Sequence, residues 1–125
     1  MRLLLDTHVV LWWLADDRRL TAEHRELIAD ASNVVLVSAM TIAEIAIKTS
    51  LGKLEAPDDL LPTLETGAFD ELPFESRHAD LLRKLPWHHR DPFDRMLIAQ
   101  AQRLDALIVS RDVAFAAYDV ETLPA

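Results

Sequence analysis

Cysteine is absent from this chain of 125 residues, so neither a disulfide framework nor a thiolate metal site exists. That fits a reducing compartment, and a cytoplasmic protein is the expectation. Glycine is scarce: two residues in the whole chain exclude a flexible or low-complexity sequence. No stretch approaches the roughly 18 consecutive apolar residues of a membrane span. The start holds Arg2, three leucines and then Asp6, which lacks the pattern of a secretory signal. Positive charge is the minority, with 13 Lys and Arg against 21 Asp and Glu and a formal net charge of -8. Proteins that grip nucleic acid through their overall field are usually basic. The composition therefore disfavours a simple nucleic-acid binder. It leaves room for an enzyme that collects carboxylates around a divalent cation, or for a protein with a basic partner.

What is present is enough apolar material for a core: 50% of the residues are hydrophobic. The length predicts one domain over residues 1–125. Apolar runs of strand length recur at 2–5, 34–37 and 107–110, with weaker candidates at 69–74 and 120–123. Segments of helical period lie between them, at 8–15, 21–31, 40–52, 58–67, 75–85 and 93–104. Thr21 reads as an N-cap and Gly52 as a helix stop. Strands alternating with helices predict an α/β fold, a mostly parallel sheet covered on both faces.

In such a sheet, ligand sites lie beyond the carboxyl ends of the strands. Asp6 follows the first strand. Ser38 follows the second, with Glu44 in the helix after it. Ser110 and Asp112 follow the 107–110 strand, and Asp94 opens the helix that feeds it. Crowded carboxylates repel one another, and a cation relieves that repulsion. All-oxygen ligation without Cys suits Mg²⁺ or Mn²⁺. Such ions polarise phosphates and activate water.

Each acid also has a plain structural reading. Asp6 serves as an N-cap. Thr41-Ile-Ala-Glu44 matches a capping box, and Glu44 with Lys48 makes an i,i+4 pair. Asp91 and Asp94 suit a helix start, and Asp112 suits a turn. The joint pattern, separate strand–helix units each giving an acid to one edge, favours a site. His88-His89-Arg90-Asp91 offers groups for metal or phosphate binding, but a polar loop after Pro86 is the favoured reading. His24 and His78 fall on polar helix positions and are expected in solvent. Trp12 and Trp13 read as core or interface residues and, where exposed, as anchors for a partner. His8, Arg95 and Arg111 are candidates for substrate contact, and Arg95 and Arg111 also for pairing with the neighbouring acids.

Four blocks, LLLDTHVVLWWL, EIAIKTSLGKL, RDPFDRMLIAQA and LIVSRDVAFAAYDV, resemble the PIN-domain nucleases, and among them the VapC-type toxins of toxin–antitoxin pairs. They occur in the family's order and span nearly the whole chain. The resemblance implies a three-layer α/β/α sandwich around a sheet of about five strands. It implies an endoribonuclease that uses one or two Mg²⁺ or Mn²⁺ ions, acts as a homodimer on RNA, and is inhibited by a VapB-type antitoxin. Carried over by motif, Asp6, Glu44, Asp94 and Asp112 are the catalytic and metal-binding acids, and Ser110 is the supporting hydroxyl. The chain departs from the pattern at Ala43, where Trp is frequent, and at Ala114, where another acid is frequent. The second departure thins the ligand set of a second ion. The alternative is a catalytically idle or receiver-like Mg²⁺-binding interaction domain. A receiver wants a Lys after a late strand, and none occurs beyond Lys84.

Overall fold

Three leucines in a row cannot alternate between core and solvent, so the strand they form must be covered on both sides. In the computed structural model, which describes residues 1–67 and 69–124, that strand is β1, Arg2–Leu5. Leu3 and Leu5 point into one core and Leu4 into the other. Strand β2, Val34–Ser38, repeats the arrangement, with Val35 and Val37 on the first side and Leu36 on the second. The short β3, Asp70–Leu72, borders β2. Strand β4, Leu107–Ser110, borders β1 on its other side and is followed by β5, Thr122–Pro124. The order is β3-β2-β1-β4-β5, and all four pairings are parallel.

Helices cover both faces, which completes the three layers. Val9, Val10 and Trp12 of α1 (Thr7–Leu14), Ile28 of α2 (Ala22–Ala29) and Leu64 of α4 (Leu60–Thr66) pack with Leu3 and Leu5. Helix α3, Ala39–Ser50, gives Ile45 to that core and Met40 to the opposite one. Leu81 of α5 (Ser76–Leu81) and Leu97, Ile98 and Ala101 of α6 (Pro92–Leu104) fill the second core, together with Phe115 from a 3-10 turn over Val113–Ala117. Because every strand runs the same way, Asp6, Ser38 and Ser110 leave the sheet at one common edge.

Local chemistry departs from the sequence reading at three points. The N-cap of α3 is Ser38, whose Oγ accepts from Met40 N at 3.1 Å, so Thr41 and Glu44 form no capping box. Helix α5 stops at Leu81 rather than 85, because the chain tightens into i→i+3 turns from Leu82 onward. His78 is buried, not solvated; its Nδ1 accepts from Glu75 N at 2.9 Å. The core reading of the tryptophans holds: Trp12 is buried and the partly buried Trp13 packs edge-on against Phe69 at 5.9 Å, so the anchor role that depended on exposure falls away. The expected caps and stops hold elsewhere. Thr21 caps α2, and Gly52, at φ +70, takes the left-handed turn after α3 that a side chain would resist.

Candidate functional site

Asp6 ends β1 and begins α1, and it holds both roles its position suggested. Its Oδ1 accepts from Val9 N at 2.9 Å, capping the helix. Its Oδ2 accepts from the Ser110 hydroxyl at the end of β4. Ser110 Oγ in turn accepts from Asp112 N at 2.9 Å. A buried serine thus ties two acids from neighbouring strand ends. Burial pushes the Asp6 carboxyl up, against the lowering effect of these hydrogen bonds, and the nearby Asp112 adds to the rise.

Glu44 lies on α3 and is also buried. Its two oxygens accept from Thr7 Oγ1 and from Lys48 Nζ, each at 2.5 Å. The Lys48 ammonium feels Asp91 and Asp94 beyond Glu44, so it stands against the same acidic group. Asp94, in the first turn of α6, is pushed up to about 7. Burial is the main cause, followed by the charge of Asp91; Glu44 and Asp6 add to it. These carboxylates from β1, α3 and α6 are therefore electrostatic neighbours. Asp112 starts the 3-10 turn, with Oδ1 accepting from Ala114 N at 2.9 Å, and it is the most open acid of the group.

Three groups meet closely where α6 approaches the end of β4: His89 Nε2 lies 2.9 Å from Asp94 Oδ2 and 3.4 Å from Asp112 Oδ2. One ligand atom from each of the three lies within 4.8 Å of the others, a spacing that a metal ion can bridge. The imidazole, however, is oriented by its other nitrogen. Nδ1 accepts from Asp91 N at 3.1 Å, so the neutral ring carries its proton on Nε2 and donates toward the acids. As a ligand through Nε2 the ring would place a second N–H against that of Asp91. His89 is thus better suited to orient Asp94 than to ligate beside it.

The structure brings Asp6, Glu44, Asp94, Asp112 and Ser110 together. Asp91, read from sequence as a cap, does cap α6 through Phe93 N at 2.9 Å, and it also adds charge to the cluster. His8 is exposed at the rim, close enough to act on Asp6. Arg95 corrects the sequence reading: it neither pairs with the acids nor faces a phosphate. Successive helical residues diverge by about 100°, and Arg95 turns away from Asp94 into the second core. There its guanidinium donates to the carbonyls of Leu82, Leu85, Pro86 and His89. Arg111 donates to the Arg19 carbonyl and lies 4.6 Å from the Trp12 ring centroid, beside the site. His89, which the sequence reading ranked as a polar loop residue above a metal or phosphate role, stands at Asp94 and Asp112.

The sequence matches the family model of the PIN domain over residues 3–121. No curated protein matches the chain. Among solved structures the chain is similar to VapBC2 from Rickettsia felis bound to a DNA fragment from its promoter. The TM-score is 0.76 at 14% identity, over 99% of this chain and 98% of that one. It is similar to VapBC-1 from nontypeable Haemophilus influenzae, with TM-score 0.70 at 19% identity over 99% and 98%. It is also similar to VapBC-5 from Mycobacterium tuberculosis, of the VapBC family of toxin–antitoxin systems, with TM-score 0.60 at 24% identity over 99% and 98%. At these identities the likeness establishes a shared fold.

Proposed function

The chain belongs to the PIN-domain family, and from that premise we propose that it is a Mg²⁺- or Mn²⁺-dependent endoribonuclease acting as the toxin of a toxin–antitoxin pair. The observation that carries the reading is the cluster of Asp6, Glu44, Asp94 and Asp112, each from a different part of the chain. Two of them are buried and one has its carboxyl pushed up to about 7. Such a cluster is strained by its own charge, and a divalent cation with oxygen ligands fits it. The donors are carboxylates with no thiolate, which suits a hard ion.

When bound, the ion supplies Lewis-acid polarisation of a phosphodiester and a water of lowered pKa. The chain's own residues supply the rest. Asp6, Glu44, Asp94 and Asp112 hold the ion. Ser110 fixes the Asp6 carboxylate and the Asp112 backbone in one register, and Thr7 fixes Glu44. His89 donates from Nε2 to Asp94, holding it toward Asp112. His8 and Arg111, at the rim, face an approaching phosphate.

The toxin role draws on the similar structures, which are those of VapBC proteins. In this reading a VapB-type antitoxin inhibits the chain, and the active form is a cytoplasmic homodimer whose nuclease domain spans residues 1–125. Among the described residues no helix is long and apolar enough to cross a membrane.

The test is purified protein, free of any partner, incubated with total RNA in Mg²⁺ or in EDTA, with cleavage ends mapped. Cleavage in Mg²⁺ alone is expected. Asp6→Asn, Glu44→Gln, Asp94→Asn and Asp112→Asn should each lower it at least about 100-fold while the protein stays folded. Normal cleavage by Glu44→Gln would reduce Glu44 to a structural residue and remove the four-acid site. Co-expression with the neighbouring reading frame tests the partner: a co-purifying protein that suppresses cleavage is expected.

A further inference from the structure

The loop that carries His89 and Asp91 has a second side. Between Pro86 and Pro92 it holds Trp87 and Arg90. Trp87 is 73% exposed, the most solvent-accessible of the large aromatic residues. A tryptophan left in water is costly in apolar surface, and it is informative when its position is rigid. This one is rigid from behind. The Arg95 guanidinium lies 3.7 Å from its ring centroid and is itself buried. Four backbone carbonyls and Tyr118 Oη hold that guanidinium in place. One face of the indole is therefore backed by a fixed cation, and the other is presented to solvent.

Beside it lies a hollow of about 350 Å³ that Trp87 lines together with Arg95, Leu82, Arg83, Arg90, Pro92 and Met96, and with no carboxylate. That is unusual in a chain with a formal net charge of -8. Arg90 makes no side-chain hydrogen bond or ion pair among the described residues. Arg83 makes only a solvent-exposed contact with Asp80 at 3.5 Å, a pair of small energetic weight. Planar aromatic face and unengaged guanidinium groups together match a nucleotide: the face stacks a base and the guanidinium groups take phosphate. An acidic peptide would use the arginines but has no need of the indole face.

We propose that Trp87 and Arg90, with Arg83, form a subsite for one nucleotide of single-stranded RNA, carried by the same loop that brings His89 to Asp94. Trp87 stacks the base and the arginines hold the adjoining phosphate. The proposal rests on the ribonuclease reading and deepens it. In a chain of net negative charge, a local basic surface of this kind offers RNA a place to bind.

The experiment uses the full chain carrying Asp94→Asn, in EDTA, titrated into a fluorescein-labelled single-stranded RNA of mixed sequence and read by anisotropy. Adding Trp87→Ala should weaken binding about tenfold, while Trp87→Phe keeps most of it. Adding Arg90→Gln should weaken binding and reduce the slope of log K against log salt by about one. In the cleaving protein, Trp87→Ala should raise KM with kcat within about twofold. Thermal melts check folding, and Arg90→Gln decides the matter if Trp87→Ala melts early. RNA binding that is absent, or unchanged in both variants, overturns the proposal. So does loss of a dimer in Trp87→Ala by light scattering, which would make the face an interface between copies. Binding of poly-glutamate through Trp87 in place of RNA overturns it too. A wild-type protein that cuts no RNA, yet binds it through Trp87 and Arg90, would remove the ribonuclease reading and leave the subsite standing.

Discussion

Asp94 keeps its proton up to about pH 7, against 3.8 for an ordinary aspartate, chiefly because it is buried. Between those values the folded chain binds more protons than the unfolded one. The contribution of Asp94 to stability is therefore fully present below about 4 and lost as pH rises through about 7. Metal-free protein should lose melting temperature over that window, and Asp94→Asn should flatten the loss. An equal slope in the variant would place the titrating group elsewhere. Glu44 is buried, and beside the Thr7 hydroxyl its one cationic partner is Lys48, itself about a third exposed. Lys48→Met should cost the metal-free protein about 1–3 kcal/mol by urea unfolding, since the carboxylate stays buried without its cation. Saturating Mg²⁺ should restore more stability in this variant than in the parent. A variant as stable as the parent in EDTA would show that the ammonium compensates nothing. The role of Glu44 was only half legible in the sequence: the Lys48 pairing is local, but the Thr7 contact joins α1 to α3 and has no signature in spacing.

At the scale of elements, the strands were legible because three of them are continuous apolar runs, which only a sheet covered on both faces accommodates. The two edge strands are short and half-exposed, and their signals were correspondingly weak. Helix starts were harder, because several hydroxyls compete near each one. Both Ser38 and Thr41 suit the start of α3, and the structure uses Ser38. Thr41 is left buried, with its hydroxyl unpaired. Ser38→Ala should therefore cost about 1 kcal/mol, whereas Thr41→Val should be neutral or stabilising. Chemical denaturation of the two variants checks this, and the reverse order would reinstate Thr41 as the cap. The end of α5 was misjudged for a tertiary reason. The carbonyls of Leu82 and Leu85 leave the helical ladder to receive Arg95, which sits on another helix. The same contact removed Arg95 from the site, and neither fact can be read from the local sequence.

For the molecule as a whole, the parallel topology decides that acids far apart in sequence share one edge. Asp6 and Ser110 are 104 positions apart and touch, because β1 and β4 are neighbours that run the same way. This much followed from the alternation of strands and helices. The position of His89 did not, because it depends on how a loop between two prolines folds back onto Asp112. The common edge also concentrates the excess negative charge, so the metal-free fold carries repulsion that the unfolded chain disperses. A cation that binds only the folded state stabilises it by mass action. Millimolar Mg²⁺ or Mn²⁺ should thus raise the melting temperature by several degrees. NaCl of matched ionic strength should do less, because screening acts weakly on groups as buried as Asp6 and Glu44. Asp6→Asn, Glu44→Gln, Asp94→Asn and Asp112→Asn should each reduce the Mg²⁺ increment. Asp58→Asn, in the exposed turn before α4, should leave it intact. Calorimetric scans with and without Mg²⁺ separate these outcomes. An increment that survives in all four site variants would mean that the ion binds somewhere other than the carboxyl edge, and the cluster would then be an acidic surface with no cation of its own.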